Sequence, residues 1–376
     1  MLSLYVHIPF CVGKCPYCGF YSTPYTPGRA DEFIRGLQIE AAGYRHVCTD
    51  RIFETVYLGG GTPSALSSDR LACVVGIIRE NFRITVDAEF TVEANPNTVT
   101  RETLDFLIGT GVNRLSLGVQ SFSDKVLQTL GRLYTAELAA QAFALARDAG
   151  FTNIGTDLIY GIPGQTMHQW EETLDSALAL GPEHVSAYSL SLDEGSSFHR
   201  KAEAGGYVLP DDEFVARMYE CAVNTLRSAG YGRYEISNFS RAGFECRHNM
   251  NYWERGEYLG LGPGAWSFIS GRRHSALAEV TEYSRRLSSG LTVIENEEVV
   301  GTMDAAREAV MLGLRTLKGL DLIRFEREFG SAILRRLEQN AVPVMEAGLL
   351  QTTRGLLRLT DRGILLSNEA LARLAV

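Results

Sequence analysis

The feature that most constrains this chain is a rhythm. Short β-branched or apolar runs end in polar or glycine residues, and helix-like stretches follow them. The runs are SLYVHIPF (3–10), TVYLGGG (55–61), AEFTVEANP (88–96), NRLSLGVQS (113–121), NIGTDLIYG (153–161) and HVSAYSL (184–190). Between them lie segments such as ADEFIRGLQIEAAGYRHV and YTAELAAQAFALARDAG, the second ending at Gly150, a good helix stop. Strand alternating with helix predicts parallel β/α units. Six such strands predict an α/β fold, an incomplete six-stranded β/α barrel. A doubly wound sheet is the alternative, and the pattern alone does not separate them.

The rhythm changes after about residue 200. DDEFVARMYECAVNTLRSAG reads as an amphipathic helix, and the Gly-rich, aromatic stretch from 231 to 268 is too irregular for one element and too aromatic for disorder. From about 300 the order becomes helix, helix, helix, strand, turn, strand, helix, which predicts a smaller α+β, winged-helix-like unit. The expected division is 1–200 for the barrel, 201–298 for a barrel-completing or linking region and 299–376 for the C-terminal unit. Because the polar strand-end residues all precede residue 160, the barrel and the C-terminal unit are expected to form distinct cores, with the cofactor site in the barrel.

A formal charge of −9 argues against a general nucleic-acid binder. The first apolar run contains His7 and Pro9 and lacks a basic leader, so no signal peptide is read there. No stretch is long and apolar enough to span a membrane, which leaves peripheral association open. Seven cysteines without a secretion signal fit a reducing compartment, and the expected location is the cytoplasm.

Polar groups gather at the C-terminal ends of the predicted strands, the edge where barrels and open α/β sheets carry their sites. The densest is CVGKCPYC, residues 11–18. A C-x3-C-x2-C loop can give one thiolate each to three irons of a four-iron cube, leaving the fourth iron open for chemistry. The competing reading is a structural zinc site completed by His7 or a distant residue. It is disfavoured because such sites bring a second ligand pair, and the next cysteine is Cys48. The other strand-end features are ambiguous alone: the GGG of YLGGGTPS could be a tight turn or a close backbone approach to a ligand, and Glu93 could cap a helix or bind a ribose or ammonium.

Together these stretches carry a resemblance. YVHIPFCVGKCPYC resembles the cluster motif of radical S-adenosylmethionine enzymes. The set LYVHIPFC, LGGGTPS, VEANP, LGVQSF, GTDLIYGIPGQT and HNMNYW resembles the branch containing oxygen-independent coproporphyrinogen III oxidase and its relative, the heme chaperone. The resemblance implies a [4Fe-4S] cluster on Cys11, Cys15 and Cys18, with S-adenosylmethionine bound at the open iron and cleaved to a deoxyadenosyl radical. It places Gly60, Gly61 and Thr62 along the methionine end of that cofactor and Tyr5, Glu93, Gln120, Arg132 and Asp157 at its contact positions. Tyr17 would cover the adenine or simply pack over the loop. Arg132, read alone, looks like a solvated helical charge.

Two departures from the oxidase pattern point to the chaperone branch: Phe20 stands where the oxidases have a fourth cysteine, and the chain begins almost at the first strand. Gly19 agrees instead with the oxidases, the chaperone type more often having Asp there. HNxxYW resembles the chaperone's heme-binding signature, which makes His248 a candidate axial ligand, with Cys246 as rival and Tyr252 and Trp253 as packing surface. The expected role is to bind heme and deliver it to acceptor proteins. An electron donor would serve the cluster, and the chain would act as a monomer or homodimer. The alternative is oxidative decarboxylation of coproporphyrinogen III.

Overall fold

The computed structural model describes residues 1–194 and 196–374. Six strands lie side by side in the order of the chain: β1 (Leu2–Ile8), β2 (Ile52–Gly60), β3 (Arg83–Ala94), β4 (Arg114–Gln120), β5 (Ile154–Tyr160) and β6 (His184–Ser189). Every junction among them is parallel. A doubly wound sheet reverses its strand order at a switch point. No reversal occurs here, so right-handed crossovers put the helices on one face and the sheet wraps as a partial barrel. This is the expected six-stranded α/β arrangement.

The sheet continues past these six. β7 (Glu257–Leu261) pairs in parallel with the free side of β1. β8 (Trp266–Ile269), β9 (Arg272–Ala276) and β10 (Ile294–Val299) extend that margin as an antiparallel meander. At the other margin Asn238–Ser240 pairs antiparallel with β6. The irregular aromatic segment of the sequence thus supplies strands to both margins of the barrel.

The outer helices follow from local chemistry. In Ala136–Ala149, Thr135 accepts a hydrogen bond from the Leu138 N–H at the N-terminus, and Gly150 closes the C-terminus at φ 110°. Ala139, Ala142, Phe143 and Ala146 recur at helical spacing and are all buried on one face. Burying Phe143 contributes about 1.5–3 kcal/mol, and Phe143→Ala would cost about 3–5 kcal/mol.

Period-2 alternation sorts the strand residues. In β1, Leu4, Val6 and Ile8 join the apolar layer under the helices, while Ser3, Tyr5 and His7 face the barrel interior, where Ser3 meets Thr55 of β2 and Tyr5 and His7 line a cavity. Register carries this inner row across the sheet: Tyr5 lies beside Tyr57, Tyr57 beside Thr91, Glu93 beside Ser116, and Asp157 beside Ser186. A polar interior is costly unless its groups are bonded, and much of this one is. The short helix Arg247–Trp253 plugs it. Glu89 accepts the backbone N–H groups of Arg247 and His248 at that helix's start, at 3.0 and 2.9 Å.

The C-terminal unit runs helix (Thr302–Gly313), strand (Leu320–Asp321), helices (Leu322–Phe329 and Ser331–Glu346), then the hairpin Leu350–Thr353 and Leu356–Leu359. Its three short strands form their own sheet, which is winged-helix order. The expectation of distinct cores is corrected. Ala306, Val310, Leu314, Leu320 and Phe325 belong to one apolar cluster with the barrel residues, and an isolated bridge joins Glu235 to Thr316. Apolar continuity of this kind gives the unit and the barrel one shared core.

Candidate cofactor edge and adjoining cavity

The cysteine loop springs from the end of β1. Phe10–Cys11 pairs with Thr23–Pro24, and the Cys18 N–H donates to the Cys15 carbonyl at 3.1 Å. Cys11, Cys15 and Cys18 are all partly exposed, and Thr62 Oγ1 donates to Cys11 Sγ at 3.6 Å. Among the described residues no three His, Cys, Asp or Glu side chains are gathered tightly enough to enclose one metal ion. Three thiolates on one short loop match a four-iron cube, which takes one on each of three irons, whereas a closed zinc site takes four ligands on one ion. The loop packs on Gly131 (φ 70°), where a Cβ would lie 2.7 Å from Pro16.

The three glycines bring their backbone against the strand ends. Gly60 has φ 105°, and a Cβ there would lie 2.4 Å from the His7 ring. One on Gly61 would meet the Phe10 carbonyl at 2.6 Å. Neither position accepts a side chain. The Gly60 N–H donates to Glu93 Oε2 at 3.1 Å and the Tyr57 hydroxyl to Oε1 at 2.8 Å. Burial pushes the Glu93 carboxyl up to about 7 despite those donors, with Asp157 adding to the rise. A cation placed here would favour its ionised form.

Asp157 accepts from Ser116 Oγ at 3.1 Å, and burial raises its pKa as well. Arg132 is not the solvated helical charge read from the sequence: it lies in the loop between the helices Asp124–Thr129 and Ala136–Ala149. It is partly buried, its Nη2 donates to the Tyr17 hydroxyl at 2.6 Å, and its guanidinium carbon lies 5.6 Å from the Tyr17 ring centroid. Its Nε is buried without a partner, as is Asn95 Oδ1 beside Glu93. Gln120 is buried and holds φ 66°, a left-handed backbone rare for a side-chain-bearing residue. Such conformations concentrate at sites. Tyr5, Gly60, Gly61, Thr62, Glu93, Arg132 and Asp157 therefore share one strand-end edge with the cysteine loop. Left-handed glycines, two orphaned polar atoms and half-buried carboxylates fit a small cationic ligand carrying polar ends.

Beside this edge opens a cavity of about 860 Å³, near the top of the range of about 300–1,000 Å³ for small-molecule sites. Tyr5 and Glu93 belong to both. A ladder of rings runs along the cavity: Tyr5 to Tyr57 (6.1 Å between centroids), Tyr57 to His248 (5.0 Å), His248 to Tyr252 (5.0 Å), Tyr252 to Tyr258 (4.7 Å) and Tyr258 to Phe268 (6.4 Å). Phe20, Trp266 and Met311 line it while 66%, 44% and 42% exposed. Large apolar side chains left open around a concavity mark a binding surface.

His248 sits at the wall of this cavity, but the expectation that it offers iron a free lone pair is not met in this arrangement. Its Nδ1 is 2.8 Å from Thr55 Oγ1 and its Nε2 is 2.9 Å from the Tyr252 hydroxyl. Thr55 spends its own proton on Ser3 Oγ, so Nδ1 carries the imidazole proton and Nε2 accepts from Tyr252. Burial and the nearby Arg114 push the His248 pKa down to about 3, so the ring stays neutral. The rival, Cys246, is fully buried, donates to Glu89 Oε1 at 3.6 Å, and has its thiol pushed up to about 12 by burial. It does not reach the cavity. Gly19 also has a local reason here: a Cβ would come within 2.3 Å of Asp193 Oδ2, leaving little room for a second carboxylate.

Sequence reasoning missed the interior below the edge. Arg114 is 2% exposed, its Nε and Nη1 lack partners, and the charges it feels include Glu89. His184 is buried with Nε2 2.7 Å from the Tyr234 hydroxyl. The available signal was polar residues two apart within one strand: Glu89, Thr91 and Glu93; Arg114 and Ser116; His184, Ser186 and Tyr188.

The Radical SAM superfamily pattern matches residues 5–177, and the HemN C-terminal domain pattern matches residues 303–366. Curated relatives span nearly the whole chain. The heme chaperone HemW of Bacillus subtilis is 35% identical over 98% of this chain and 98% of its own length. HemW of Mycobacterium tuberculosis is 36% identical over 99% and 94%. The mitochondrial radical S-adenosyl methionine domain-containing protein 1 of Bos taurus is 35% identical over 98% and 85%. Among solved structures, coproporphyrinogen III oxidase HemN from Escherichia coli superposes with a TM-score of 0.87 at 25% identity, covering 100% of this chain and 90% of that one. Among the described residues no helix is long and apolar enough to cross a membrane. With the cysteine loop, glycine turn and polar strand ends assembled on one edge of a partial barrel, the chain belongs to the coproporphyrinogen III oxidase-like family of radical S-adenosylmethionine proteins, whose members named above include the heme chaperones HemW.

Proposed function

We propose that this protein is a heme carrier: it binds heme in the aromatic cavity beside the cofactor edge and passes it to acceptor proteins. The observation that carries this reading is the cavity itself, a large space walled by a continuous ladder of rings and sharing Tyr5 and Glu93 with the cofactor edge. A flat apolar macrocycle gains from burial against such faces. The naming of the full-length relatives supports it. In this reading Cys11, Cys15 and Cys18 hold a [4Fe-4S] cluster. S-adenosylmethionine lies along Gly60, Gly61 and Thr62, with Glu93 and Asp157 as its carboxylate partners, Tyr5, Gln120 and Arg132 at its flanks and Tyr17 over the adenine. When bound, the cluster and S-adenosylmethionine would together supply one-electron chemistry. The protein's part is to fix the thiolates, keep two carboxylates for a cation and shield the edge with Arg132 and Tyr17. His248 forms part of the heme wall, its lone pair held by Tyr252. Heme-acceptor proteins and a cluster electron donor are the proposed partners, the cytoplasm the proposed location.

A second reading has one observation in its favour. A tetrapyrrole in this cavity would lie next to the residues proposed for S-adenosylmethionine, the placement an oxidase acting on coproporphyrinogen III needs. The test gives the anaerobically reconstituted protein, with reductant and S-adenosylmethionine, both heme and coproporphyrinogen III. Retention of heme with no decarboxylated product is expected. Product at catalytic yield would replace the carrier reading with the oxidase.

A further inference from the structure

The ring ladder ends at Phe268, and two guanidinium groups stand on that ring. The carbons of Arg255 and Arg273 each lie 5.4 Å from its centroid. Both side chains are mostly buried, both line the cavity, and one carboxylate holds them together. Glu308, also in the cavity wall, takes Arg255 Nε on one oxygen at 3.2 Å and Arg273 Nη2 on the other at 2.7 Å. Arg273 also donates a hydrogen bond to Tyr258 of the ring ladder. The other carboxylate partners, Glu328 on Arg255 (3.1 Å) and Glu298 on Arg273 (2.9 Å), are more exposed and stand outside the cavity lining. Arg255 also holds φ 56°, a left-handed backbone that a side-chain-bearing residue adopts at a cost.

We propose that Arg255 and Arg273 receive the two propionate carboxylates of the bound macrocycle, and that Glu308 is a built-in competitor for the same two cations. This rests on the heme-carrier reading. An amphiphile with a flat apolar body and two carboxylates at one end matches a ring-lined cavity with two paired guanidiniums at one end. Arginine suits the role because its rigid fork of donors matches carboxylate geometry. With one donor from each arginine, Glu308 already occupies the position an incoming carboxylate would take. Glu308 belongs to the helix Thr302–Gly313 of the C-terminal unit. A tethered carboxylate competes at high effective concentration, so it weakens retention and speeds release, which a carrier requires. A simpler strut, in which Glu308 only pins the C-terminal unit to the sheet, predicts the opposite sign when Glu308 is neutralised.

The test compares iron protoporphyrin IX with its dimethyl ester on the full-length, cluster-loaded protein, by absorbance titration and by transfer rate to excess apomyoglobin. The wild type is expected to bind the free acid about tenfold or more tighter than the diester, the size of one charge-assisted contact. R255Q/R273Q should lose that preference, and E308Q should slow transfer to apomyoglobin several-fold. Equal affinity of the wild type for acid and diester overturns the proposal without requiring any variant. So does an E308Q protein that releases heme faster. If the wild type binds neither compound, the carrier reading fails first and takes the clamp with it.

Discussion

The cofactor edge and the aromatic cavity share a wall at Tyr5 and Glu93, yet they are built on opposite plans. The edge draws its residues from consecutive strands of one repeating unit and the loops that follow them, and its polar groups are held by bonds between neighbouring segments: Glu93 by Tyr57 and Gly60, Asp157 by Ser116, Arg132 by Tyr17. The cavity is composite. It takes Tyr5, His7 and Tyr21 from the first strand and loop, Tyr252, Tyr258 and Phe268 from the margin strands and plug helix, and Glu308, Met311 and Leu312 from the C-terminal unit. Its walls are mainly aromatic, with Glu93 at one end and Arg255, Arg273 and Glu308 at the other, and Phe20, Trp266 and Met311 stand exposed around it. A site on strand ends is set by the barrel's register and tolerates little change. A site between units is set by how those units pack and can alter its shape and release its content.

The largest expected effect separates the two outright. Replacing Cys11, Cys15 or Cys18 with Ser exchanges a soft thiolate for a poor iron ligand, and the brown chromophore of the reconstituted protein should vanish. Cys48 and Cys73, which lie away from the loop, should tolerate Ser with the chromophore intact. If the two sites are independent, each loop variant keeps its affinity for iron protoporphyrin within about twofold, since no cysteine lines the cavity. Joint loss of chromophore and porphyrin binding in a folded variant would merge the two sites into one.

Next comes the interior that supports the edge. Arg114 is a buried cation among Glu89, Asp157 and the plug helix. Removing one member of a buried charged set leaves the others uncompensated, so Arg114→Met should cost about 3–5 kcal/mol in denaturant unfolding. The cost should shrink in the double variant with Glu89→Gln, which removes the charge left behind. A stable single variant would mean that the backbone N–H groups of Arg247 and His248, not Arg114, balance Glu89.

This interior also marks where the sequence stopped being readable. The six units, the cysteine loop and the glycine turn were legible because each is local: a period, a spacing, a turn. Whether Arg114 is buried depends on the helix Arg247–Trp253 entering the bore from more than a hundred residues away. Arg132 looked exposed because LGRLY reads as the surface of a helix, whereas it lies in a loop and is covered by Tyr17 of the cysteine loop. β7 was not counted because GEYLGLGPG reads as turn-rich. Its strand character comes from the unpaired edge of β1. The supposed distinct cores failed for the same reason, since continuity between units is made of pairs such as Glu235 and Thr316 that no local window contains.

A third effect tests the charge of the edge. Burial pushes the Glu93 carboxyl up to about 7. A cationic ligand favours the ionised carboxylate. Affinity for S-adenosylmethionine should therefore plateau above about pH 7 and fall as pH drops through it, approaching tenfold per pH unit below. Glu93→Gln should flatten that profile and weaken binding by about 10- to 100-fold, the range for a hydrogen bond to a charged group. Isothermal titration between pH 5.5 and 8.5 reads both. A wild-type profile flat across that range would remove Glu93 from contact with the cation.

The smallest effect is the most diagnostic for the cavity wall. His248 has the tautomer an iron ligand needs, with the lone pair on Nε2, but Tyr252 holds that lone pair through its hydroxyl at 2.9 Å. Tyr252→Phe deletes the hydroxyl and keeps the ring, at a cost of about 1 kcal/mol in stability. It also frees Nε2 on the cavity side, so the absorption band of bound iron protoporphyrin should move toward that of a histidine-ligated iron. His248→Gln added to Tyr252→Phe should reverse the move, because Nε2 is then gone. His248→Gln alone should leave the wild-type band where it was, since in the wild type the lone pair never reaches the iron. A band shift in that single variant would show that Tyr252 lets go when the macrocycle enters, and would make His248 the axial ligand that its HNxxYW setting suggests.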